Sequence, residues 1–558
     1  MKATALFLFV ASAAAALAQS SASMPMNAGA VPGERLGTVS FAQSCSSQVQ
    51  APFNRGIALL HDFWYAEAKP QFERIAKDDP RCAMAHWGIA MSVFQQIWER
   101  PGDQSMKLGW EEIQKAQSIG APTERERDYI AALAILYKPG DSGFMDRVTA
   151  YSAAMGALYR KYPGDVDAGA FYALSLLASE APNDTSLSHA QEAMAVLTPL
   201  FAKYPDNPGV VHYIIHSCDN PTMAREGLAA AEHYGAIAPS GPHAAHMPGH
   251  IFARLGMWQP DIDAQLASIR ASEIADAHHE NGLFDEPHSY DFLMYAYLQS
   301  GQDANAKQVL KKSAAAVERI AKMTAGMGDH KGGMAGRMGY YRTKFPVFYA
   351  LEMRNWKAAA ALRQVPGALP MDASITWWAR AIADGHLRHA QQAQADLAQY
   401  DAAMAAARKG RQAYDADSTG ARVRRNEVAA WASFADGRRD DALKYMRAAA
   451  DLQDKVGQSE VDIPAREMLA DMLLELHQPQ EALVEYRVAL KLSPNRFNEL
   501  YNAGVAADES GDKIAAEGYF AALLKSTGDG AHSARPELAH AKSFVSSYRA
   551  PAGNGGVH

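Results

Sequence analysis

Three short runs of the 558-residue chain place histidine and aspartate at helical spacing. "VVHYIIHSCDN" carries His212, His216 and Asp219; "GPHAAHMPGHIF" carries His243, His246 and His250; "EPHSYDF" carries His288 and Asp291. On a helix of 3.6 residues per turn, spacings of i, i+4, i+7 and i, i+3, i+7 each fall within an arc of about 60°. Each run therefore presents its side chains on one face. Imidazole with carboxylate is the ligand set of zinc, copper, iron and manganese sites, and the eight residues are read as a metal-binding patch. Eight candidates exceed what one tetrahedral ion needs, so they suit two ions, or one ion with residues that orient its ligands. Two other readings use the same residues: a hydrogen-bonded structural network, and a groove that binds acidic peptides when protonated. Coordination needs neutral imidazole, so metal binding is expected to weaken below about pH 6.

Other groups carry less. His61, Trp64, Tyr65 and Glu67 in "LLHDFWYAEA" read mostly as packing. His278, His279 and Glu280 are read as a solvated loop that could cover the site. Met323, Met327, His330, Met334 and Met338 offer soft ligands for Cu(I), but "AKMTAGMGDHKGGMAGRMGY" reads better as a flexible connector. "GDSGF" at 140–144 is read as a turn between helices, and no P-loop, dinucleotide fingerprint or HExxH is present. Of three cysteines, Cys45 and Cys82 flank the first helix pair and are expected to form a disulfide, leaving Cys218 as a lone thiol beside the histidines.

The elements that position these residues are helical. Almost every segment past residue 50 is rich in Ala and Leu with helical periodicity, and no run alternates like a strand. Thr123 and Glu126 form a capping-box pattern. A 34-residue period also appears. Ala470, Ala482, Tyr486, Ala489 and Pro494 take positions 8, 20, 24, 27 and 32 of one unit. Gly504, Gly511, Ala516 and Phe520 repeat positions 8, 15, 20 and 24. Ala430, Gly437, Ala442 and Ala449, and near the front Gly56, Ala68, Phe72 and Pro80, fit the same frame. The chain thus resembles the tetratricopeptide repeat (TPR) superfamily. Through "FNRGIALLHDFWYAEA", "IIHSCDNP", "PHAAHMPGHIFARLGMW" and "LSPNRFNELY" it resembles more narrowly a group of exported bacterial TPR proteins. The resemblance implies an all-α, right-handed solenoid whose concave groove is lined by positions 2, 5, 9 and 12 and accepts a protein or peptide partner. In that frame equal positions face each other: His212 beside His246, His216 beside His250, His288 beside His243, and Asp291 beside His246. Pro248 is expected to kink its helix.

The first 18 residues read as a secretory signal, with a basic start, an apolar run and an Ala-Leu-Ala end. The expected organisation is a signal at 1–18, a flexible leader at 19–40, a His-bearing array at 41–320, a Met/Gly-rich connector at 321–340, a second array at 341–549 and a tail at 550–558. The mature protein is expected in the periplasm or outside the cell. Hydrophobic residues make up 48 % and charged residues 21 %, with a net charge of −8. No basic stripe is present, which argues against a nucleic-acid partner, and no later run is long and apolar enough to span a membrane. The function expected is a metal-bearing TPR protein, with a metal-free peptide-binding scaffold as the alternative. If it is an enzyme, a metal-dependent hydrolase or oxidoreductase is expected.

Overall fold

The computed structural model describes residues 33–548, apart from 98–99, 182–183, 325–330, 411, 458 and 460. The expected signal, most of the leader and the tail lie outside the described residues, as do the side chains of Met327, His330 and Met334. Among the described residues every regular element is a helix. Helices pair along the chain into hairpins, and each hairpin packs on the next, which makes an all-α solenoid. The four units in 34-residue register are four of these hairpins: Gln50–His61 with Tyr65–Asp78, Thr419–Ala435 with Arg439–Val456, Ala465–Glu475 with Pro479–Leu492, and Phe497–Glu509 with Lys513–Ser526.

The register has a steric cause. A Cβ on Gly56 would lie 2.7 Å from the Phe72 ring, and one on Gly504 would lie 2.6 Å from the Phe520 ring. The small residue at position 8 is the seat of the ring at position 24. The Thr123–Glu126 capping box forms, with Thr123 Oγ1 accepting from the Glu126 amide at 3.2 Å. Cys45 and Cys82 are joined, with Cα atoms 4.8 Å apart, and tie the N-terminal segment to the first hairpins.

Buried apolar side chains form two cores, one from Leu36 to Ala275 and one from Ala253 to Ala541. They meet near residues 253–283. The predicted connector at 321–340 is not where the cores part, because Ile320, Met338 and Tyr341 are all buried within the second core.

The solenoid also winds back onto itself. Helix Gln50–His61 packs against helix Pro208–Cys218, and helix Glu286–Gln299 meets helix Phe497–Glu509. At the first seam the Trp64 indole donates to the Asn281 carbonyl at 2.9 Å, and Arg55 pairs with Glu280 at 3.3 Å. At the second, the Trp258 indole donates to the Asn495 carbonyl at 2.9 Å. The concave side near the histidines is therefore filled by the molecule's own first hairpin.

Candidate metal centre

Helix Pro208–Cys218 carries His212 and His216. Asn207 caps it, accepting from the Val210 amide at 3.1 Å, and Pro208 opens it. His243 and His246 lie on helix Pro242–His246, and His250 on helix Pro248–Arg254. The two meet at Met247, because Pro248 has no N–H and its ring crowds the preceding turn. His288 stands in the first turn of helix Glu286–Gln299.

These elements gather six histidines into two trios: His212, His216 and His243, then His246, His250 and His288. Within each, the ligand nitrogens lie within 4.8 Å of one another. Tetrahedral bonds of about 2.0 Å put nitrogens about 3.3 Å apart, so side-chain rotation of roughly an ångström would close either trio on an ion.

The predicted pairing is shifted. His212 faces His243, with ring centroids 5.1 Å apart, rather than His246. His246 and His250 face His288, at 4.5 and 5.8 Å. Equal repeat positions do not face each other here, because neighbouring helices are offset by about one turn.

The two predicted aspartates fall outside both trios. Asp219 accepts from His250 Nδ1 at 2.9 Å and from Arg254 Nε at 2.9 Å. Burial opposes its ionisation, but Arg254 and His250 outweigh that and hold its carboxyl well below the usual range. Asp291 is ion-paired with Lys344, so it is engaged with a cation rather than offered as a ligand. Burial pushes the Cys218 thiol up to about 12, which removes it as a thiolate ligand.

The far nitrogens of three imidazoles meet groups that can only accept. His212 Nδ1 lies 2.6 Å from the His61 carbonyl. His250 Nδ1 faces the ionised Asp219. His246 Nδ1 lies 2.6 Å from Gln265 Oε1, and the Gln265 amide is turned that way because its NH2 donates to Asp261 at 2.8 Å. Each Nδ1 therefore carries the proton and each Nε2 keeps its lone pair. His246 Nε2 and His250 Nε2 lie 2.9 Å apart, so two lone pairs point at one space. The Nε2 atoms of His212 and His216 are buried without a hydrogen-bond partner.

The site is dry. His212, His243 and His246 are 0 %, 3 % and 1 % exposed. Burial first, and neighbouring histidines second, hold His212 and His243 well below the usual imidazole range. The same two causes bring His216 and His246 down to about 3.

Each trio is walled by one phenylalanine. Phe63 lies 4.4, 5.3 and 5.6 Å from the rings of His212, His216 and His243. Phe292 lies 4.8, 4.7 and 5.2 Å from those of His246, His250 and His288.

The trios adjoin through His243 and His246, whose rings are 6.1 Å apart and tilted 36°. Ions on near-parallel rings would be separated by a similar distance. At about 6 Å and an effective dielectric constant of about 20, two unit charges repel by about 3 kcal/mol and two dications by about 11 kcal/mol.

Sequence reasoning missed three contributors. Gln265 sits on the second helix of its hairpin, where no groove residue is expected. Phe292 lies among apolar residues and carries no signal of its own. Phe63 was read as packing, and its position over the imidazoles follows from a left-handed backbone, φ 57°, in the turn after His61. His61 itself is structural: its ring bonds Tyr213 and Asp167 at 2.9 and 3.1 Å. The predicted covering loop does dock, through Glu280 on Arg55 and the Asn281 amide on Glu67 at 3.0 Å.

No family model matches the chain, and no curated protein matches it. A solved structure of Naa15/Naa10 bound to HypK-THB is similar over 89 % of this chain and 91 % of that chain, at 11 % identity and a TM-score of 0.22. The class rests on the molecule itself: an all-α solenoid of helical hairpins in TPR-like register, with a histidine cluster inside it. No described helix is long and apolar enough to cross a membrane.

Proposed function

We propose that this is an exported TPR-like protein that holds transition metal in its two histidine trios. The observation that carries the reading is the pair of lone-pair-bearing Nε2 atoms of His246 and His250, 2.9 Å apart, each with its other nitrogen fixed by an acceptor. Two neutral imidazoles arranged this way repel unless a cation sits between or beside them. An all-nitrogen ligand set suits zinc, copper, iron or nickel, and disfavours magnesium and calcium, which need oxygen. Three nitrogens per trio leave one position of a tetrahedral ion for another ligand, so carriage and catalysis are both compatible with it.

A peptide does not fit this patch, because the imidazoles are buried under Phe63 and the first hairpin. Export is supported by the signal-like N-terminus and by the Cys45–Cys82 disulfide.

Elemental analysis of protein purified from an oxidising compartment tests the metal reading. Wild type should carry metal, and His246→Ala and His212→Ala should each carry less. His233→Ala should match wild type, since His233 is 37 % exposed by side chain and bonds Asp206 outside the trios. Equal content in wild type, His246→Ala and His212→Ala would end the metal reading.

A further inference from the structure

The two trios are equivalent in ligand type, adjoining, and almost free of balancing charge. The one carboxylate bonded to a trio histidine, Asp219, is already matched by Arg254. Six neutral imidazoles thus leave the full charge of any two ions uncompensated in a buried space. Two monovalent ions at the His243–His246 separation repel four times less than two divalent ones.

Coordination number points the same way. Zinc takes four ligands in protein sites. Each trio supplies three nitrogens and backs them with an apolar ring, Phe63 on one side and Phe292 on the other. Three nitrogen donors in a dry, uncharged pocket are the surroundings in which copper(I) is content with three ligands, because its filled d shell imposes no further geometric demand.

We propose that the histidine pair is a copper(I) site holding two ions, one per trio, each on three imidazole nitrogens. The proposal rests on the metal reading above and assigns its ion and stoichiometry. A divalent ion would fill one trio and resist the second.

The test uses the full chain, freed of metal and kept anaerobic. It is titrated with copper(I) as its acetonitrile complex against a chromophoric copper(I) chelator, and separately with zinc nitrate at pH 6.5. Two copper ions per chain are expected, with affinities within about tenfold of each other. The second zinc should bind at least about a hundredfold more weakly than the first. His212→Ala and His246→Ala should each retain one copper, with circular dichroism confirming that each is folded. X-ray absorption of the loaded wild type should show three nitrogen neighbours per copper. Two zinc ions bound with equal affinity, a single copper in wild type, or loss of both coppers from one folded variant would overturn the pairing. Failure of both metals to bind would instead remove the metal reading on which it rests.

Discussion

Gln265 acts on His246 through one hydrogen bond, and that bond decides which ring nitrogen is available to a metal. Gln265→Met keeps volume and removes the acceptor. It should weaken metal binding on the order of 10–100-fold, measured by competition with a chelator of known affinity, while His233→Ala leaves it unchanged. The histidines also set an acid limit. Four of them are held below the ordinary imidazole range by burial and by one another, with His216 and His246 near 3. Between about pH 6.5 and 3 the unfolded chain binds protons that the folded chain refuses, so metal-free stability falls as pH falls through that window. Thermal melts should drop steadily below pH 6.5, and His216→Gln should flatten the slope; a flat wild-type profile would show that the rings are solvated. Metal, once bound, meets proton competition well below the pH 6 expected for exposed imidazole. Helical spacing made all six histidines legible in the sequence. The acceptors were not legible, because Gln265 and the His61 carbonyl reach the cluster from other elements.

At the level of elements, the interrupted helix of the second run shapes the site. Pro248 was recognisable as a break, and the structure places the break at Met247, between His246 and His250. The residue after the proline matters as much. A Cβ on Gly249 would lie 1.9 Å from Gln265 Nε2 and 2.6 Å from Asp261 Oδ1. Helix Trp258–Ala277 can press Gln265 against His246 only because that position is bare. Gly249→Ala should therefore cost about 1–3 kcal/mol and also weaken metal binding by the same mechanism as Gln265→Met. Chemical denaturation and chelator competition read the two effects separately. Stability lost with unchanged metal affinity would mean that Gln265 can move aside and still hold the imidazole. The helices and their hairpin frame were readable, since ring seats such as Gly56 under Phe72 recur at fixed spacing. The offset between neighbouring helices was not, since it depends on packing that repeat numbering does not contain. That offset turned the expected His212–His246 pair into His212–His243.

The whole molecule adds a constraint that spans its length. The seams where the solenoid touches itself join residues some two hundred positions apart, so no local pattern announces them. The second seam is held by Arg496, wholly buried, which pairs with Glu352 at 2.9 Å, Glu467 at 2.7 Å and Glu499 at 3.2 Å and also bonds the Tyr295 hydroxyl. Tyr295 lies two turns along the helix that begins with His288. One helix thus supplies a metal-trio histidine near its start and a seam contact near its end. Arg496→Ala would strand three buried carboxylates, a loss of about 3–5 kcal/mol. Urea unfolding followed by circular dichroism should show the second core melting ahead of the first. The consequence for metal is asymmetric. Helix Glu286–Gln299 positions His288, so the ion of the His246–His250–His288 trio should bind more weakly. His212, His216 and His243 rest on the first core and its seam with the first hairpin, so their ion should be held as in wild type. Metal titration of Arg496→Ala distinguishes the cases. One weakened and one unchanged affinity is the expected result. Equal weakening of both would show that the solenoid transmits strain along its whole length.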